Sequence, residues 1–160
     1  MTPVTAQQAV VRLHRTIPAP PSRVYRAWLE PELLGRWLSP AGLDVTGAKV
    51  DERVGGHFRI WQASADGEAG GFECELLELV PDRRIVFRWA FVGPQRVADP
   101  AHDSRLTITF DDAPDGATTL TLVHERLDAL DAAMPGMAEG TATGWGMALD
   151  KLAATIAEAA

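Results

Sequence analysis

From residue 44 to residue 126 the chain is a succession of short runs in which apolar and polar residues alternate, each cut from the next by a turn signal or a loop. The runs cover 44–50, 56–63, 71–80, 84–91, 104–111 and 117–126. The punctuation falls at Gly55-Gly56, Ala65-Asp66-Gly67, Pro81-Asp82 and Pro114-Asp115-Gly116. Alternation with period two sends successive side chains to opposite faces of a strand. Gaps of hairpin length between such strands imply an antiparallel meander with one apolar face. In 84–91 that face carries Ile85, Phe87, Trp89 and Phe91, opposite Arg84, Val86 and Arg88. Leu106, Ile108 and Phe110 repeat the pattern, as do Leu120, Leu122 and then His124, which therefore points inward. A slip of one residue would exchange the faces.

Two further features decide what covers that face. At the start, 8–17 reads as another strand with Val11, Leu13 and Ile17 on one side. Arg15, on the same side, requires a carboxylate if buried, with Glu125, Asp51 or Glu75 as candidates. Pro18, Pro20 and Pro21 end that strand, and Ser22 is the expected cap of a short helix, SRVYRAWLE. A second short helix, PELLGRWL, follows, because Pro31, Gly35, Pro40 and Gly42 forbid one long one. At the far end, Trp145, Leu149, Leu152 and Ile156 recur at spacings of four, three and four, which makes one face of a long amphipathic helix. Residues 92–103 and 127–137 read as loops. A curved antiparallel sheet of about seven strands wrapped round a long C-terminal helix, with two short helices after the first strand, is the α+β helix-grip arrangement. Between such a sheet and its helix a cavity remains, to be filled by bulky side chains or by a ligand.

Composition narrows the function. A chain of 160 residues reads as one domain, 1–160, able to bury about 70% of the surface its unfolded form exposes. Although 46% of residues are apolar, no run approaches the ~20 residues of a membrane span. The first 17 residues lack a secretory pattern. Cys74 is the only cysteine, which excludes an intrachain disulfide and fits a cytoplasmic setting. A net charge of −7 without a basic cluster beyond Arg83-Arg84 opposes nucleic-acid binding.

Several residues distributed along the chain resemble those of the activator of heat-shock-protein-ninety ATPase homologue family, within the START-like (SRPBCC) superfamily. They are Ala19-Pro20 with Val24, Ala27 and Trp28; EPELLGRW with Pro40 and Gly42; Val50-Asp51, Arg53 and Gly55-Gly56; Pro81; Thr107; Leu120 to His124; and Gly144-Trp145 with Leu149 and Leu152. The similarity extends from about residue 10 to residue 158. It implies the helix-grip fold and a cytoplasmic protein, and it implies no single chemistry.

Catalytic signatures are sparse. His14, His57, His102 and His124 lie 43, 45 and 22 residues apart, so none forms a local ligand pair. HERLD at 124–128 ends in Asp128 and reads as strand, whereas a metalloprotease motif needs a helix. No nucleophile elbow, phosphate loop or dinucleotide fingerprint occurs. The expectation is no catalytic residue, no metal and no cofactor. Trp37, Phe58, Phe72, Phe87, Trp89, Phe91, Ile108, Leu122, His124 and Trp145 are the candidate lining of the cavity. Periodicity does not separate a cavity-lining aromatic from one that simply packs. His124 reads as a satisfied core histidine, or else as a group that orients a ligand or acts as a base. Trp37 precedes the Ser-Pro-Ala-Gly loop expected at the cavity mouth. The function favoured is binding of a hydrophobic or aromatic small molecule without chemistry. The alternatives are a cyclase- or aromatase-like enzyme and a chaperone ATPase-activator-like interaction protein, with a chaperone or a second copy of the chain as partner.

Overall fold

The structure, a computed structural model, describes residues 10–39, 42–95, 99 and 102–158. Pro40 in the expected mouth loop, residues 8 and 9 of the expected first strand, and much of the expected 92–103 loop lie outside the described residues. The elements run β1 (Val11–Ile17), α1 (Pro21–Ala27), α2 (Pro31–Trp37), β2 (Asp44–Val50), β3 (His57–Ser64), β4 (Gly67–Val80), β5 (Arg84–Trp89), β6 (Phe91–Val92), β7 (Ser104–Ala113), β8 (Ala117–Glu125), α3 (Asp128–Ala133) and α4 (Met137–Glu158). The strands form one highly curved antiparallel sheet in the order β1-β8-β7-β5-β4-β3-β2, with the two-residue β6 paired to β4. This is the helix-grip fold expected from the order of elements.

The inward register is as the alternation requires. Ile85, Phe87, Trp89, Leu106, Ile108, Phe110, Leu120, Leu122 and His124 are all fully buried. Leu149, Leu152 and Ile156 of α4 join the apolar ones in one packed cluster with Trp28, Trp37 and Phe58. α4 could not persist on propensity alone, because Gly140, Gly144 and Gly146 lie in its first half and each glycine weakens a helix by roughly 0.5–1 kcal/mol. Its stability comes from the apolar face it lays on the sheet.

Four local expectations need correction. Ser22 does not cap α1: Pro20 is the extended N-cap residue and Pro21 occupies the first helical position, where its missing N–H is no loss. Arg15 is only partly buried, and its partner is Asp150 of α4 at 3.2 Å, not Glu125, Asp51 or Glu75. Residues 127–137 are not all loop, since Leu127 and Leu130 are buried three residues apart and draw Asp128–Ala133 into a short helix. The run 71–80 begins earlier, at Gly67, because β4 extends along β3 beyond a register shift between Gln62 and Ala63.

Two glycines are required by close backbone approach. A Cβ on Gly56 would run into Asp51 O, and one on Gly70 into Val92 O, where β6 pairs with β4. Gly70 also has φ +96°. Gly56→Ala and Gly70→Ala are each expected to destabilise by more than about 1 kcal/mol. Denaturant midpoints check this; unchanged midpoints would mean that the backbone does not approach these two glycines as described.

Candidate functional site: a cavity roofed by glycines

Beneath the first half of α4 the sheet and helix part to leave a cavity of about 340 Å³. Its roof is the helix face bearing Met137, Gly140, Thr141, Gly144, Trp145 and Ala148. Its floor is Gln62 of β3, Phe72 of β4, Trp89 of β5 and Phe91 of β6, and Leu38 and Ser39 close one side at the end of α2. The cavity exists because of what the roof lacks. A Cβ added at Gly140 or Gly144 would meet no atom within 4 Å. One turn further on, Leu149, Leu152 and Ile156 fill the corresponding space.

The aromatic face expected from the sequence divides into two layers. Phe72, Trp89, Phe91 and Trp145 line the cavity. Trp37, Phe58, Phe87, Ile108, Leu122 and His124 do not, and lie behind it. Phe58 and Phe87 pack on each other and on Trp89 with ring centroids 5.0–5.9 Å apart. Ile108 and Leu122 face each other across β7 and β8. Trp37 turns away from the mouth: its indole N–H donates to Ala27 O at 3.0 Å and its ring stands edge-on to Trp28 at 4.7 Å. The paired tryptophans thus tie α2 to the end of α1, and the residues that reach the cavity are the next two, Leu38 and Ser39.

His124 is a satisfied core histidine. Trp145 Nε1 donates to its Nδ1 at 3.0 Å, and its Nε2 lies 2.7 Å from Ser104 Oγ. An indole nitrogen can only donate, so the network assigns Nδ1 as the acceptor and places the ring proton on Nε2. That proton goes to Ser104 Oγ, whose own proton goes to Trp89 O at 2.9 Å. Every donor in this relay has one acceptor. Phe91 stacks on the ring at 5.9 Å. Burial lowers the His124 pKa to about 3, and protonation would also set an Nδ1–H against the indole N–H. The histidine clamps Trp145, and with it the roof helix, to the sheet.

Ser39 belongs to the Ser-Pro-Ala-Gly loop expected at the mouth, whereas sequence reasoning missed Leu38, Gln62, Met137, Gly140, Thr141, Gly144 and Ala148. Two signals were present. Gln62 is a polar residue on the inward side of a strand after Phe58 and Ile60, and its Nε2 donates to Leu38 O at 3.2 Å. Gly140, Gly144 and Ala148 recur every four residues, which gives the helix a bare stripe.

A second depression of about 260 Å³ includes Arg53, Arg59 and Arg88, whose ion pairs with Asp51, Glu73 and Glu75 leave the charge locally balanced. Among the described residues no three His, Cys, Asp or Glu side chains converge as a metal site, and no helix is long and apolar enough to cross a membrane.

Residues 18–157 match the model of the family described as Activator of Hsp90 ATPase homolog 1-like protein. Among solved structures, a protein from Chromobacterium violaceum is 37% identical with TM-score 0.72, over 91% of this chain and 95% of that one. A protein from Nitrosomonas europaea is 24% identical with TM-score 0.74, over 93% and 94%. An AHSA1 protein from Silicibacter pomeroyi is 21% identical with TM-score 0.75, over 94% and 99%; these last two likenesses bear on the fold alone. No curated protein matches the chain significantly.

Proposed function

The chain belongs to the Activator of Hsp90 ATPase homolog 1-like family, and from that premise we propose that it binds a small hydrophobic or aromatic molecule in the cavity beneath α4, without chemistry. The observation that carries this reading is the bare stripe of Gly140, Gly144 and Ala148 over a floor of Phe72, Trp89 and Phe91. An alanine at Gly144 has room for its Cβ and would strengthen the helix by about 1 kcal/mol. The sequence instead keeps a space of about 340 Å³, within the roughly 300–1,000 Å³ of small-molecule sites. A ligand there would supply the dispersion contacts that the wall lacks.

The absence of chemistry is supported by His124. A general base needs a free lone pair within reach of the substrate. The one acceptor nitrogen of His124 is taken by Trp145, and the ring lies behind the cavity wall.

Titration with 1-tetralone, followed by tryptophan emission, tests the reading. Trp89 and Trp145 border the space, so occupancy is expected to change emission and to raise the thermal midpoint. Gly144→Leu should weaken binding at least roughly tenfold, equivalent to about 1.4 kcal/mol, while the protein stays folded. Equal affinity in wild type and Gly144→Leu would place the compound elsewhere and remove the cavity from the function.

A further inference from the structure

One amide enters the concave face of the sheet among apolar side chains. Along β3 the buried positions are Phe58, Ile60 and Gln62, so Gln62 follows two fully buried hydrophobic residues to the inward side. Its Nε2 donates to Leu38 O at 3.2 Å, at the end of α2, where helical carbonyls run out of helical partners. A carbonyl oxygen can only accept, so this contact fixes the orientation of the amide: the nitrogen is held against α2, and Oε1 is the other end. Among the described residues no donor reaches Oε1. Nor is that oxygen sealed in. Among the described residues the side-chain atoms both buried and unpartnered are Trp28 Nε1, Trp89 Nε1, Asp103 Oδ1 and Thr141 Oγ1. Gln62 Oε1 is not one of them and keeps surface open to solvent. Gln62 and its partner Leu38 both line the cavity, so the space that this inward oxygen meets is the cavity.

The chemistry of that wall selects what can meet the oxygen. Among the described residues none of the lining side chains is Asp, Glu, Lys, Arg or His. A carboxylate would lose its hydration there without a counter-charge and would face a carbonyl oxygen that repels it. Lys151, which is not part of the lining, is drawn to Ser39, with Nζ 3.1 Å from the carbonyl oxygen and 3.0 Å from Oγ. A wholly apolar ligand would strip solvent from Gln62 Oε1 and return nothing, whereas a ligand with a hydroxyl proton restores the lost bond.

We propose that Gln62 sets the specificity of the cavity, and that the ligand is an uncharged ring compound bearing a hydroxyl group that donates to Gln62 Oε1. The proposal rests on the ligand-binding reading above and makes it specific. The ring occupies the space between the aromatic floor and the bare stripe of α4, and the hydroxyl lies at the side closed by Leu38 and Ser39, where the amide is anchored.

The test compares 2-naphthol, 2-methoxynaphthalene and 2-naphthoate, which share a ring system and present a hydroxyl proton, an oxygen without a proton, and a charge. Dissociation constants are measured by ligand-observed NMR on the full chain and on its Gln62→Met variant, which keeps the length of the side chain and removes the amide. Gln62→Met is expected to weaken 2-naphthol about three- to tenfold more than 2-methoxynaphthalene, as loss of one hydrogen bond requires. A second readout needs no variant and decides alone should Gln62→Met fail to fold. In the wild type, 2-naphthol is expected to move the Gln62 Cδ resonance downfield, as a donor to its carbonyl does, and 2-methoxynaphthalene is not. Equal weakening of the two neutral probes, or equal Cδ shifts with both, would overturn the donor claim while leaving the cavity reading intact. Tighter binding of 2-naphthoate than of 2-naphthol would overturn it too, and would point to Lys151. Failure of every probe to bind the wild type would overturn both readings.

Discussion

Leu149→Ala and Leu152→Ala are expected to lower the free energy of unfolding by about 2–5 kcal/mol each, whereas Gly144→Leu, on the same helix, is expected to leave it unchanged or raise it by up to about 1 kcal/mol. The contrast follows from the two halves of α4. Leu149 and Leu152 are fully buried and belong to the packed cluster of the sheet face. Truncating either removes the transfer energy of its side chain and opens a void that a rigid sheet cannot close. Gly144 faces a space that is already open, so a leucine there meets no atom at its Cβ and removes a helix-weakening residue. Denaturant midpoints of the three variants measure the difference. Comparable losses at Leu149, Leu152 and Gly144 would show that the first half of the helix is as tightly packed as the second, and that no functional cavity exists.

Stability should also fall with acid through His124. Its folded pKa is lowered to about 3 from 6.5, by burial. The unfolded chain therefore binds a proton that the folded chain refuses. The stabilisation from keeping this ring neutral is fully present above pH 6.5 and is lost as pH falls from there toward 3. Between about pH 5.5 and about pH 4 the slope attributable to this residue is on the order of 1 kcal/mol per pH unit. Carboxylates begin to titrate in the same range, so the measurement is a difference between wild type and His124→Gln. The glutamine amide is uncharged throughout, and the variant should lose less stability on acidification than the wild type. Parallel stability curves for the two proteins would mean that His124 is not held neutral by its surroundings.

The parts of this structure that were legible in the sequence are those governed by periodicity. Alternation in β5, β7 and β8 put Phe87, Trp89, Ile108, Leu122 and His124 on the inward face, and spacing in α4 put Leu149, Leu152 and Ile156 on its apolar side. Periodicity states only that a residue points inward. It does not state whether another side chain meets it there, and so it could not distinguish Phe72, which lines the cavity, from Phe58, which is sealed in the core. That distinction depends on the residue opposite, and the residues opposite are glycines, whose contribution is the absence of a side chain. The roles of Trp37 and His124 were obscured for a different reason. Each is settled by one hydrogen bond, to Ala27 O and from Trp145 Nε1, between residues 10 and 21 positions apart. Composition carries no trace of such a bond. The bare spacing of Gly140, Gly144 and Ala148 was readable, and its meaning became clear only with the floor beneath it.

A crystal structure of the full chain soaked with a bromine-labelled 1-tetralone measures the site directly, because the anomalous signal locates the bromine independently of any assumed pose. The expected result is one peak between α4 and the sheet, bounded by Gly144, Trp145, Trp89 and Phe72. A peak only on the protein surface, with side chains closed into the space beneath Gly140 and Gly144, would contradict the account.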